Sequence, residues 1–308
     1  LSGRRFKIGS RGSQLALWQA NHIADAMRSA GHTVEIIIIK TLGDQMQDPR
    51  FNTQAVADID SKGIFTREIE EALAGGRIDL AVHSLKDLPV ELDEKFILAA
   101  IPQRTDARDV LVSVKFSSLD SLPKNAVLGT TSLRRQSQLL AQRSDLKFTA
   151  MRGNVDTRLR KLDEGQVHGL ILAAAGLERL GLMQWVRQYF SPDVMCPAPG
   201  QGALGVECRA EDEETIAALK FLDDDAARFA VTAERLVLAS LGGGCQTPIG
   251  AHYSNADSKL YAVVAAPDGS RVIRTAVLQT NHDSPDTLAT KATQKLIIAG
   301  AKDLLAIQ

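Results

Sequence analysis

Apolar and polar positions along the first hundred residues follow two alternating periods. Residues 6–10 and the β-rich run 33–40 predict strands, while 13–30 carries apolar residues at helical spacing. Residues 66–74 read as a second helix, ended by Gly75-Gly76, and 80–83 as a short strand. Strands alternating with helices predict α/β layering on a mostly parallel sheet. A second unit of the same kind begins near Arg104. Its strands are predicted at 110–114, 127–129, 147–151 and 170–174, and its helices at 133–143 and 155–164. The Pro197-Ala-Pro-Gly-Gln-Gly202 segment predicts a change of chain direction. The last third has another pattern. Runs 260–265 and 271–279 flank a Pro267-Asp-Gly turn and predict an antiparallel hairpin, followed by a helix at 286–299, an α+β arrangement.

At 308 residues the chain is long enough for two or three domains, and 44% hydrophobic with 24% charged residues is ordinary globular composition. No apolar run approaches the ~18–20 residues of a membrane span, and no basic leader with an apolar core opens the chain. Neither a membrane partner nor export is expected. Three cysteines, Cys196, Cys208 and Cys245, make no disulfide framework and fit a reducing, cytoplasmic location.

A net charge of −1 argues against a general nucleic-acid binder. The distribution is more informative than the total. Residues 104–198 hold 14 Lys/Arg against 9 Asp/Glu, and in the whole chain Arg outnumbers Lys by 22 to 14. Arginine suits bidentate recognition of carboxylate or phosphate, so an Arg-dense middle segment in a neutral chain points to a small polyanionic ligand.

Five segments carry candidate chemistry. Gly9-Ser-Arg-Gly-Ser-Gln-Leu15 and Gly129-Thr-Thr-Ser-Leu-Arg-Arg135 each place hydroxyls and arginines where a strand turns into a helix. Free N–H groups and the helix dipole favour an anion there, while plain N-capping by Ser and Thr is the alternative. Val82-His-Ser-Leu-Lys-Asp-Leu-Pro89 leaves a buried strand, and strand carboxyl ends are where open α/β sheets bind ligands. There Asp87 could stabilise a cation or move protons and Lys86 could hold an anion; a solvated Lys-Asp loop is the rival reading. Met151-Arg-Gly-Asn-Val-Asp-Thr-Arg-Leu159 opens a helix with Arg152 and Arg158, read either as a site or as a solvated helix start. Gly242-Gly-Gly-Cys-Gln246 presents a cysteine on a backbone with almost no side-chain cover. No Cys/His pair has zinc-ligand spacing, so no metal is expected, and no nucleotide-binding loop is present.

Taken together these residues resemble the porphobilinogen deaminase (hydroxymethylbilane synthase) family nearly end to end. The likeness includes Ile8 to Gln19, Lys62-Gly-Ile-Phe65, Asp79 to Pro89, Gly129 to Arg135, Arg152-Gly-Asn154 with Thr157-Arg158, Gly200-Gln-Gly-Ala-Leu-Gly205 and Gly243-Gly-Cys245. The resemblance implies a transferase that joins four porphobilinogen molecules head to tail into hydroxymethylbilane, with loss of ammonia, on a dipyrromethane cofactor thioether-linked to Cys245. It implies two periplasmic-binding-protein-like α/β domains, 1–103 with 199–222 and 104–198, plus a smaller C-terminal α+β domain, 223–308. A monomer is expected.

Carried onto this chain, the resemblance makes Asp87 the catalytic carboxylate. It assigns Ser84, Lys86, Asp87, Thr130, Ser132, Arg134, Arg135, Arg152 and Gly153, with Cys245, to the cofactor. It assigns Arg11, Ser13, Gln19, Lys62, Arg158, Arg179 and Gln201 to the substrate. Each pyrrole bears two carboxylates, which gives the arginine excess a purpose. Residues 43–61 match the family's mobile lid. Asp58, Gly242 and Ala107 depart from residues frequent in the family, and none of the three is needed by the chemistry. The rivals are a polyanion-binding module, which would not need Cys245, and a Cys-His hydrolase, which would not need so many arginines.

Overall fold

The computed structural model describes residues 4–45, 66–151, 153–244 and 247–306, so Lys62, Arg152, Cys245 and the lid segment from residue 46 onward lie outside the described residues. The chain begins with β1 (Arg5–Ser10), α1 (Gln14–Ser29), β2 (Thr33–Ile38), α2 (Leu42–Gln45), α3 (Arg67–Ala74), β3 (Leu80–Ser84) and β4 (Phe96–Ala100). It continues through β5 (Asp109–Val112), β6 (Val127–Gly129), α4 (Leu133–Leu140), β7 (Lys147–Thr149), α5 (Val155–Asp163), β8 (Gly169–Ala173), α6 (Ala174–Arg179) and β9 (Val186–Tyr189). It ends with β10 (Leu204–Arg209), α7 (Glu213–Leu219), α8 (Asp225–Ser240), β11 (Ile249–Ser254), β12 (Lys259–Ala265), β13 (Val272–Leu278), α9 (Pro285–Ile298) and α10 (Ala301–Ala306).

These elements form two compact units. One holds Leu1–Arg104 and Ala203–Asp225, the other Thr105–Gly202 and Ala226–Gln308. The sheet of the first unit runs β2-β1-β3-β10-β4. Strands β1, β2 and β3 are parallel, and β10 runs against both β3 and β4. The second unit contains a sheet of the same plan, β7-β6-β8-β5-β9, with β6, β7 and β8 parallel and β5 running against β8 and β9. In each, one strand from outside the local β–α succession runs against the other four. The expected mostly parallel sheets therefore hold, with one antiparallel strand apiece. The second unit also contains the antiparallel sheet β11-β12-β13.

Local sequence accounts for the elements that carry the site. In β1 the alternation leaves Phe6 and Ile8 fully buried. Ser13 caps α1 by accepting the Ala16 N–H at 3.3 Å, and Ala20, Ile23, Ala24 and Met27 recur at helical spacing to pack on β1, β3 and β10. Helix α3 covers the opposite face with Ile69, Ala72 and Leu73. A fully buried Leu or Ile contributes ~1.5–3 kcal/mol, so both faces of the sheet anchor it. Helix α4 is shorter than predicted and ends at Leu140, followed by turn. Helix α8 ends in glycine: Gly242 adopts φ +66°, its N–H reaches the Ala239 carbonyl and that of Gly243 reaches Leu238. A residue with a side chain would be strained in that conformation. Among the described residues no helix is long and apolar enough to cross a membrane.

Candidate active site

In the first unit, the parallel strands β1 and β3 are neighbours and deliver six of the expected residues past their carboxyl ends. Arg11 and Ser13 follow β1. Ser84 ends β3, and a single 3₁₀ turn, Leu85–Asp87, carries Lys86 and Asp87. Gln19, buried on α1, donates to the Ser84 hydroxyl at 2.8 Å, so two expected site residues hold each other. Lys86 is half-buried and Asp87 is exposed. Arg11 donates through Nε and Nη2 to Asp44 Oδ1, at 3.0 and 2.5 Å. Burial would raise the Asp44 pKa, but the Arg11 guanidinium and Thr41 overcome it and hold that carboxylate below its ordinary value. His83, the strand residue before Ser84, is buried against Glu207 at 2.9 Å, which ties β3 to β10 beneath the Asp87 turn. The polar His83 thus belongs to the core rather than to the exposed loop.

In the second unit the carboxyl ends of β6, β7 and β8 gather the remaining residues. At the β6–α4 turn, Thr130 is buried and its hydroxyl accepts the Ser132 N–H at 3.2 Å. Ser132 occupies the N-cap of α4 but its side chain makes no capping bond, in contrast to Ser13 on α1. Of the two echoing turns, capping is therefore realised at the first only. Arg134 and Arg135, consecutive on α4, both turn inward and are nearly buried. They share one carboxylate. Arg134 Nη1 donates to Asp109 Oδ2 at 2.7 Å and to the Cys196 carbonyl at 2.7 Å. Arg135 Nε donates to Asp109 Oδ1 at 2.8 Å and Nη1 to the Ile171 carbonyl at 2.9 Å. Gln201 Nε2 reaches the same Asp109 oxygen at 3.0 Å and the Ala107 carbonyl at 2.7 Å.

Asp109 is fully buried, which alone would push its pKa up. The charges of Arg134 and Arg135, with the Gln201 bond, outweigh burial and hold it well below the usual carboxylate range. Two guanidiniums thus meet at one buried carboxylate. Arg158 Nε donates to the Gly153 carbonyl at 2.8 Å, and Gly153, at φ +114°, packs so closely on Thr157 that a Cβ would lie 2.9 Å from its methyl group. Arg179 is buried and donates to the Gly202 carbonyl at 2.7 Å and to the Thr105 hydroxyl at 3.3 Å. Burial brings its pKa down to about 10, with Glu178 opposing.

Cys196 and Cys208 are free, buried thiols, each pushed up to about 12 by burial, so neither is a thiolate at neutral pH. Among the described residues no group of three or more His, Cys, Asp or Glu side chains could hold a metal ion. The residues that sequence reasoning missed are the half-buried carboxylate Asp44 and the buried carboxylates Asp109 and Glu207. Each is paired with a residue of a highlighted motif, and no local pattern marks the pairing.

Two sheets of one plan, each gathering hydroxyls and cations past its parallel strands, define a mixed α/β chain. Solved structures similar to it include the Methionine Binding Protein, MetQ (TM-score 0.44, 15% identity, covering 73% of this chain and 92% of that one). Another is a nutrient binding protein from Burkholderia cenocepacia bound to methionine (TM-score 0.42, 15% identity, 70% and 89%). Sequence relatives are much nearer. A porphobilinogen deaminase of Brevibacillus brevis is 43% identical over 98% of this chain and 97% of its own length. One of a Roseiflexus species is 48% identical over 97% and 98%. Residues 6–217 match the family described as porphobilinogen deaminase, dipyromethane cofactor binding domain, and residues 228–297 match the porphobilinogen deaminase C-terminal domain. The chain belongs to the porphobilinogen deaminase family.

A dipyrromethane carries several carboxylates and two pyrrole N–H groups, so it needs fixed cations, hydroxyl donors and a carboxylate acceptor. Each unit holds part of such a set: the first Lys86 beside the exposed Asp87, the second the buried Arg134–Arg135 pair and the Ser132 hydroxyl, which makes no capping bond. The donor chemistry fits the group.

Proposed function

We propose that the chain deaminates porphobilinogen and joins four molecules head to tail on a dipyrromethane primer thioether-linked to Cys245, releasing ammonia each time, and that water then cleaves the tetrapyrrole from the primer as hydroxymethylbilane. The observation that carries this reading is the Asp109 triad, where two buried guanidiniums are gathered side by side. A site of that charge favours a carboxylate-bearing ligand, and bidentate guanidinium contacts suit it better than a lysine would. When bound, the primer would supply the free pyrrole carbon to which the first unit is joined, each later unit joining the end of the growing chain.

In this reading Ser84, Lys86, Thr130, Ser132, Arg134, Arg135, Arg152 and Gly153 hold the primer, while Arg11, Ser13, Lys62 and Arg158 take the carboxylates of incoming substrate. Gln19, Arg179 and Gln201 act as supports, because their side-chain bonds run to Ser84, Gly202 and Asp109. Three separate sheets support the functional division into 1–103 with 199–222, 104–198, and 223–308. A cytoplasmic monomer without nucleic-acid or membrane partners belongs to the same reading, supported by near-neutral charge and two buried free thiols.

Asp87 does the chemistry. Its exposed carboxylate accepts the pyrrole N–H of the substrate and stabilises the cation left as ammonia departs from the aminomethyl carbon. Electrostatic groups of this kind supply ~3–4 kcal/mol, so Asp87→Asn should lower ammonia release at least about a hundredfold, with Asp87→Glu intermediate. The assay is ammonia release per cofactor-loaded chain. Release near the wild-type rate by a loaded Asp87→Asn enzyme would refute the role.

A further inference from the structure

Between β9 and β10 the chain makes a tight turn at Ala198-Pro-Gly-Gln201. The Gln201 N–H closes it onto the Ala198 carbonyl at 2.9 Å, with Pro199 at the second position and Gly200 at the third with φ +74°. That is the residue pattern of a type II turn. The Gly200 N–H is taken up by Glu234 Oε2, at 2.8 Å, from the middle of α8. The other oxygen of the same carboxylate, Oε1, accepts the Tyr253 N–H at 2.7 Å. Tyr253 lies on β11, an edge strand of its sheet. Glu234 itself is wholly buried.

A buried carboxylate is costly, and an apolar residue would pack the same space more cheaply. What this position needs is two acceptor oxygens at once, for backbone donors from two distant parts of the chain. Glutamine would offer one acceptor and set its NH₂ against the other N–H. The consequence reaches further than the turn. Gln201, the residue after Gly200, is the one whose amide reaches Asp109 Oδ1, the oxygen that also receives Arg135 Nε.

We infer that Glu234 is a positioning residue for the Arg134–Arg135 pair, acting through the Gly200–Gln201 turn and Asp109. The inference rests on the reading that those arginines hold ligand carboxylates. It also has a structural corollary for the reaction. Helix α8 carries Glu234 and leads into Gly242-Gly-Gly244, the approach to Cys245, so one helix serves both the anchor and the arginines.

The test uses full-length Glu234→Gln, with Gln201→Met as the second variant. Gln201→Met keeps the side-chain volume and cuts the link to Asp109 while leaving both Glu234 bonds in place. The first readout needs no catalysis: hydrogen exchange of the Arg135 Nε–H, followed by side-chain NMR. Both variants should speed it at least ~tenfold, as expected when a buried hydrogen bond loses its support. The second is a double-mutant cycle on kcat/KM per loaded chain. Glu234→Gln should cost ~tenfold in wild type but less than ~twofold in an Arg135→Lys background, because its effect passes through that guanidinium. A purely structural Glu234 would instead cost the same factor in both backgrounds and leave Arg135 exchange unchanged, which overturns the inference. If Arg135→Lys and Arg134→Lys are both fully active, the carboxylate-binding reading fails and the inference falls with it. If they are impaired while Glu234→Gln and Gln201→Met behave as wild type, only the positioning role is lost. Should Glu234→Gln fail to fold, Glu234→Asp, which keeps the charge but shortens the reach to Gly200 and Tyr253, replaces it in both readouts with the same expected and contrary results.

Discussion

Replacing Asp109 by Asn removes the carboxylate that bonds both Arg134 and Arg135, in a place with no solvent access. Three side-chain donors meet it, at 2.7, 2.8 and 3.0 Å. Asn keeps one acceptor oxygen but sets an NH₂ against a guanidinium and leaves two buried positive charges uncompensated. Breaking a buried pair in this way costs ~3–5 kcal/mol, more than the ~1 kcal/mol of an ordinary hydrogen bond. The assay is urea unfolding of wild type and variant across pH. The sign follows from the depressed pKa. Asp109 contributes its full stability above the unfolded-state value of 3.8 and loses it as pH falls through the still lower folded-state value. The gap between the two proteins should stay constant from pH 8 to about pH 5 and close only in stronger acid. A loss under ~1 kcal/mol, or a gap already narrowing between pH 7 and 6, would refute the reasoning.

Two further perturbations probe other parts of the fold. Burial and then the charge of Glu207 raise the pKa of Glu70, so its contribution is present below the ordinary value of 4.5 and lost as pH rises through the higher folded value. Glu70→Gln should therefore unfold at higher temperature than wild type at pH 7 and at the same temperature near pH 4; a lower midpoint at pH 7 would contradict this. Gly269 sits at φ +72°, and a Cβ there would lie 2.6 Å from Leu140 Cβ and 2.7 Å from the Ala141 nitrogen at the end of α4. Gly269→Ala should cost ~2–4 kcal/mol in chemical denaturation, and a neutral result would show that the turn and α4 move apart freely.

The elements that were legible in the sequence are those whose burial pattern is unbroken. Strand β1 alternates cleanly, α1 keeps its apolar face and its Ser13 cap, and the β12–β13 hairpin flanks a Pro-Asp-Gly turn. Strand β10 was missed because Glu207, a wholly buried charge in its middle, interrupts an otherwise apolar run. Helix α8 was hidden in the same way by Glu234 and Arg235 on its buried side. Strands β4 and β9 are four or five residues long and offer too little pattern. At the site, the hydroxyls and arginines stood out by type and by their place after strands. Their partners did not, because the pairings Arg11–Asp44, Arg134–Asp109 and His83–Glu207 span 33, 25 and 124 residues. Local periodicity carries no information over such separations. Arg179, an arginine that suits a ligand by type, donates to the Gly202 carbonyl and the Thr105 hydroxyl, contacts that no local pattern marks.

The central claim is a primer held covalently by Cys245, and the mass of the intact, denatured protein tests it most directly. Protein purified in active form should be heavier than its sequence by one dipyrromethane unit. Cys245→Ser should show the plain sequence mass, while substitutions of the buried Cys196 and Cys208 should leave the added mass in place. An active wild-type protein with the unmodified sequence mass, or an adduct that survives Cys245→Ser, would contradict the account.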